Sequence, residues 1–82
     1  MSTMEKLCRV ILKLEKKNIS AADLKAEARL VEDLTFDSID LAELVVAMEK
    51  AFSLKIPLAD AKALTTVGAG VAYLDRRLAE KG

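Results

Sequence analysis

Three segments of this chain repeat apolar residues at the three- and four-residue spacing of one helical face, and no other stretch has so clear a period. Met4, Leu7, Val10, Ile11 and Leu14 form the first; Leu41, Leu44, Val45, Met48 and Phe52 the second; Val67, Val71, Leu74 and Leu78 the third. Each face must be covered. In a chain of 82 residues the cover has to come from the other two, because a small domain has one core to which every element contributes. There is no tryptophan, and Phe36, Phe52 and Tyr73 are the aromatics, so that core consists of aliphatic side chains and methionine. The expected fold class is all-α: a single domain over residues 1–82, a small four-helix bundle of three main helices and one short one.

Local start signals place the helices. Ser2 and Glu5 have the spacing of a capping box, so helix one is expected over about 3–17. Asp37 followed by Asp40 has the same spacing with aspartate in place of glutamate, which starts helix two at Ser38 and carries it to Phe52. Pro57 bars Ile56 from helical geometry and suits a new first turn, giving a short helix at about 58–63. Thr65 or Thr66 then caps a last helix over about 66–80. Gly68 and Gly70 lie in its opening turns, where each costs about 1 kcal/mol relative to alanine, so close packing is expected there. Between helices one and two the periodicity lapses for about 20 residues, a long connection for so small a domain. Ser20 and Asp23 are spaced to cap one short turn, and Leu30, Val31, Leu34 and Phe36 call for burial. The connection is therefore expected to cross the core as a strap.

Helix two carries a second apolar stripe. At 100° per residue Ile39, Ala42 and Val46 fall opposite the core face, bordered by Glu43, Glu49 and Lys50. Either the helix is buried all round or the stripe is an exposed partner surface with acidic edges.

Charge and residue types narrow the functions. The formal net charge is zero, yet residues 1–29 hold seven basic and four acidic side chains, residues 30–60 two basic and seven acidic, and residues 61–82 four basic and two acidic. Negative charge thus gathers around Ser38. The basic residues Lys6, Arg9, Lys13, Lys16 and Lys17 alternate with Glu5 and Glu15, which does not make the basic face of a nucleic-acid binder. No apolar run reaches the ~20 residues of a membrane span, and the start lacks the layout of a signal peptide. Cys8 is the single cysteine, so no internal disulfide forms; a reduced, cytoplasmic setting and an inert, buried thiol are expected. The chain has no histidine, which leaves Ser38 without a general base and rules out a Cys-His or three-ligand zinc site. Intrinsic catalysis is not expected.

Ser38 itself asks for a reason. Asp37 already provides the cap, so a hydroxyl in the first turn is surplus to it. There it lies beside free backbone N–H groups at the positive end of the helix dipole, a favourable place for a phosphate, although the two flanking aspartates oppose one. If Ser38 has no such use, the alternative is a non-covalent helical adaptor that docks partners through the stripe of helix two.

The stretch "DLTFDSIDLAELVVAMEKAF", followed by "KIP" and "LTTV", resembles the acyl carrier protein family. Asp37-Ser38-Ile39-Asp40, Glu43-Leu44, Met48-Glu49, Phe52, Ile56-Pro57 and Thr65-Thr66-Val67 keep the family's register. The resemblance implies that Ser38 carries a 4′-phosphopantetheine arm, transferred from coenzyme A by a phosphopantetheinyl transferase that Asp37 and a metal help to engage. The arm would hold acyl groups as thioesters in fatty-acid, polyketide or related lipid metabolism, making the chain a phosphoprotein and a substrate of enzymes. Partners would be a ketosynthase, an acyltransferase or an acyl-carrier synthetase meeting a monomer through Ile39, Asp40, Ala42, Glu43, Val46 and Glu49. An acyl pocket is expected near Leu44, Met48, Phe52, Ile56, Ala61 and Leu64. The chain departs from the strongly acidic family pattern in its neutral charge and at Lys50, Ala51, Leu58 and Ala59, which suits a specialised carrier as well as a primary one. The Gly-Gly-His/Asp-Ser pattern of peptidyl carriers is replaced by Leu34-Thr35-Phe36-Asp37 ahead of the serine.

Overall fold

The computed structural model describes residues 2–14 and 19–81. Its helices are α1 (Thr3–Lys13), α2 (Ser38–Phe52), α3 (Leu58–Ala61) and α4 (Val67–Lys81), with a single 3₁₀ turn at Ala21–Asp23. No strand is present among the described residues; one isolated antiparallel bridge joins Arg29 and Thr66.

The caps read from the sequence form as spaced. Ser2 accepts from the Glu5 N–H while Glu5 accepts from the Ser2 N–H, which closes the box that opens α1. Asp37 and Asp40 exchange the same pair of bonds at 2.8 and 3.0 Å at the start of α2. Helix one is shorter than its periodicity implies: Leu14 is extended, at φ −71° and ψ 144°. The expected continuation over residues 15–17 lies outside the described residues.

The core brings one face of each main helix together. Leu7, Val10 and Ile11 of α1, Leu44, Met48 and Phe52 of α2 and Tyr73 and Leu74 of α4 are all buried, as is Val67 at the head of α4. Leu24, Ala28, Leu30, Leu34 and Phe36 bring the long connection into the same core. Val31 is the exception to the expected strap, at 53% exposure. Its neighbours explain it. The Asp33 and Leu34 N–H groups both bond to the Arg29 carbonyl, closing a turn that sends Leu30 and Leu34 inward and leaves Val31 on the outer side.

The strap is fastened to the head of α4 by backbone bonds. Leu30 N–H donates to the Thr65 carbonyl, Val67 N–H to Ala28, and Gly68 N–H to Ala26 at 2.7 Å. The Ala28 and Ala26 carbonyls satisfy donors that a helix start otherwise leaves open. Thr66 Oγ1 takes a further one, from the Ala69 N–H at 3.0 Å, so Thr66 and not Thr65 supplies the side-chain cap. A β-carbon at Gly68 would stand 2.9 Å from the Ala26 oxygen, which is why the opening turn of α4 has no side chain there.

Candidate functional site

The site is built outward from the first turn of α2. Because Asp37 is the residue that caps the helix, Ser38 is released from that task. Its side chain is exposed, and its hydroxyl makes no hydrogen bond with any described residue. Asp37 spends Oδ1 on the Asp40 N–H, and the second oxygen remains available to an outside partner. The N–H groups of Ser38 and Ile39, in the first two helical positions, have no intrahelical acceptor. A serine used only as a cap would be hydrogen-bonded inward; this one is not.

Two open grooves meet at Ser38. One runs along the outer face of α2, lined by Ser38, Ile39, Ala42, Glu43, Val46, Ala47 and Lys50 with Leu14 at its side. Ile39 is 68% and Val46 49% exposed, so the second stripe of α2 faces solvent and the helix is not buried all round. The other groove, of about 420 Å³, lies between α2 and α3 and is walled by Leu41, Leu44, Val45, Ile56, Leu58, Ala61, Lys62 and Leu64. Ser38, Ala42 and Val46 line both. A mostly apolar groove of this size is in the range that takes a small ligand or a chain of one.

The structure distributes the residues singled out in the sequence as follows. Ile39, Ala42, Glu43 and Val46 are exposed on one face, with Asp40 half-buried beside them. Glu49 departs from that face. It is half-buried, and its Oε2 accepts from the Ile56 N–H at 2.8 Å, tying the turn after α2 back onto the helix. Leu44, Ile56, Ala61 and Leu64 wall the groove between α2 and α3, whereas Met48 lies deeper, against Leu7, Ile11 and Val67, and Phe52 is buried with the Lys6 ammonium 4.8 Å above its ring. The sequence reading missed Leu41, Val45, Leu58 and Lys62 as groove walls. Pro57 had fixed where α3 begins, but only the α2–α3 packing reveals which of its side chains face the groove. Among the described residues no group of acidic, cysteine or histidine side chains is arranged to hold a metal. Cys8 Sγ sits 4.0 Å from the Leu24 carbonyl oxygen, and burial pushes its pKa up, which disfavours the reactive thiolate.

An exposed hydroxyl that opens a helix at the junction of two apolar grooves suits a domain that bears a covalent attachment. The comparisons with known proteins agree: residues 5–74 match the family model described as the phosphopantetheine attachment site. The chain is 40% identical to an acyl carrier protein of Helicobacter hepaticus over 75 residues, 92% of this chain and 96% of that one. It is 39% identical to an acyl carrier protein of Nitratidesulfovibrio vulgaris over 77 residues, covering 94% and 99%, and 41% identical to one of Amoebophilus asiaticus over 68 residues, covering 83% and 85%. The chain belongs to the acyl carrier protein family, and its prosthetic group is 4′-phosphopantetheine. Among the described residues no helix is long and apolar enough to cross a membrane.

Proposed function

We propose that Ser38 is the attachment residue and that the protein carries acyl groups between enzymes of fatty-acid, polyketide or related lipid metabolism. The observation that carries this reading is the position of the Ser38 hydroxyl, exposed, without a hydrogen bond to any described residue and shared by both grooves. In the loading step the Ser38 Oγ forms a new ester bond to the phosphorus of the pantetheine phosphate. The pyrophosphate bond of coenzyme A breaks, 3′,5′-adenosine diphosphate leaves, and the serine proton passes to a base on the transferase, since this chain has no histidine to take it. When bound, the group supplies a terminal thiol on which acyl chains are held as thioesters.

The residues around Ser38 divide the remaining tasks. The N–H groups of Ser38 and Ile39 and the positive end of the α2 dipole offset the new phosphate charge that Asp37 and Asp40 oppose. Asp37 engages the transferase and its metal through the carboxylate oxygen the cap does not use. Ile39, Ala42 and Val46 give a partner enzyme apolar contact, and Asp40 and Glu43 give it charge; Lys50 closes the far end of that face. Glu49 is left out because its carboxylate is committed to Ile56. Leu44, Ile56, Ala61 and Leu64, with Leu41, Val45 and Leu58, shelter an acyl chain that turns inward. The protein acts as a monomer in the cytoplasm and is itself a substrate, not a catalyst.

The test is sequential loading. Coenzyme A, magnesium and a broad-specificity transferase should add one phosphopantetheine, and an acyl-carrier synthetase should then add one fatty acyl group that neutral hydroxylamine removes. A chain that gains neither mass under conditions that load a known carrier would defeat the proposal.

A further inference from the structure

Helix α3 is held in place by an unusual balance of contacts. It has four residues, none of them buried, and a single turn of that length has no stability of its own. Leu58 at its head is 82% exposed. The chain is anchored on either side by buried Ile56 and Leu64, and Ile56 is also tied to Glu49. Between those anchors the side-chain tie is polar. The Tyr73 hydroxyl donates to Asp60 Oδ2 at 2.7 Å, Arg77 Nη1 donates to the Tyr73 oxygen, and Arg77 Nη1 lies 3.5 Å from Asp60 Oδ2. The Tyr73 ring is buried in the core and therefore fixed, while the Arg77 guanidinium lies 5.6 Å from its centroid. One side of α3 thus bonds to a rigid point on α4. The other side supplies Leu58, Ala61 and Lys62 to the groove shared with α2.

We propose that Tyr73 and Arg77 are positioning residues that set the width of the groove by holding α3 through Asp60, and so limit the length of acyl chain it accepts. This rests on the reading of the groove as the acyl site. A core contact strains continuously as it is stretched, whereas this tie is a small set of bonds worth little net stability. The charged ends of the tie, Asp60 and Arg77, are partly open to solvent, where water competes for the same bonds and holds their net contribution down. A chain long enough to displace α3 must break the tie, whereas a short one need not.

The experiment compares the parent with Tyr73→Phe, Arg77→Met and Arg77→Lys. Tyr73→Phe keeps the buried ring and removes the hydroxyl. Amide exchange at residues 58–63 should become about five- to tenfold faster in Tyr73→Phe and Arg77→Met, as expected for loss of about one hydrogen bond, with the core amides of α1 and α4 unchanged. Arg77→Lys keeps a cationic donor and should stay within about twofold of the parent. Each protein is then loaded with octanoyl or hexadecanoyl pantetheine. In the parent the shorter chain should raise the melting temperature more than the longer, and in Tyr73→Phe that difference should fall by half or more. Unchanged exchange at residues 58–63 overturns the tie while leaving the groove reading intact. Faster exchange with the chain-length difference preserved overturns the link between tie and groove. If neither acyl group raises the melting temperature of the parent, the groove reading fails and this proposal with it.

Discussion

The carbonyl oxygen of Ala26 accepts a 2.7 Å hydrogen bond from the Gly68 N–H and stands 2.9 Å from where a Gly68 β-carbon would be. The strap and the head of α4 therefore meet backbone to backbone. Gly68→Ala puts a methyl group against a carbonyl that cannot rotate away, and the bonds from Leu30 and Val67 must shift with it. We expect a loss of about 2 kcal/mol or more, a typical cost of overpacking, even though alanine is the better helix former. Gly70 differs, because the nearest atom to its β-carbon is Leu7 Cδ2 at 3.2 Å, the end of a side chain that can turn. Gly70→Ala should change stability by less than half as much, and urea unfolding of the two variants decides it.

Val46 is half-exposed on the outer face of α2. Val46→Glu should leave stability within about ±0.5 kcal/mol, as surface substitutions do, while slowing transfer from the carrier to a partner enzyme. Denaturant midpoints and transfer rates on the same preparation separate the two effects. Loss of the fold would place Val46 in the core and remove the partner face.

The acidic residues near Ser38 form a local field on a molecule of zero formal charge. At physiological ionic strength such a field is screened over about 8 Å, so a partner feels it only when close to α2. Glu43→Lys should lower the rate of Ser38 loading several-fold, and Lys13→Glu, on α1, should change it little. Both are measured with one transferase at low and moderate salt; equal effects would mean that net charge governs recognition.

Two carboxylates are held below their ordinary pKa by their partners: Glu5 by hydrogen bonds from Ser2, and Asp33 by the Arg29 side chain and backbone N–H. A depressed folded-state pKa means that the unfolded chain binds the proton first on acidification. The stabilising contribution is therefore complete at neutral pH and is lost as the pH falls through the usual carboxylate range and below. Glu5→Gln should flatten the acid limb of a plot of unfolding midpoint against pH, with its largest difference from the parent above that range and little difference in strong acid.

What the sequence made legible follows from how local each signal is. The cap at Asp37 and Asp40 is written within four residues, as is the restart at Pro57, and the beginnings of α2 and α3 follow from them. The end of α1 carried no glycine or proline to mark it, so periodicity alone extended that helix too far. The pairing of residues 26–30 with residues 65–68 consists of backbone bonds between distant segments, which leave no trace in side-chain pattern beyond Gly68. Val31 and Glu49 show the same limit from the side-chain direction. Composition asks for Val31 to be buried and for Glu49 to be a surface charge, but a turn at Arg29 exposes one and a free N–H at Ile56 captures the other. Ser38 stands out in the sequence as a hydroxyl that the cap does not need, and in the structure it makes no hydrogen bond with any described residue.

The central claim is that this hydroxyl is the attachment point. Incubation with coenzyme A, magnesium and a transferase, followed by tandem mass spectrometry of proteolytic peptides, locates the modification directly. The account predicts one phosphopantetheine on Ser38 and none on a Ser38→Ala variant, which should remain folded because Asp37 keeps the cap. An adduct on any other residue, or a Ser38→Ala protein modified as fully as the parent, would contradict it.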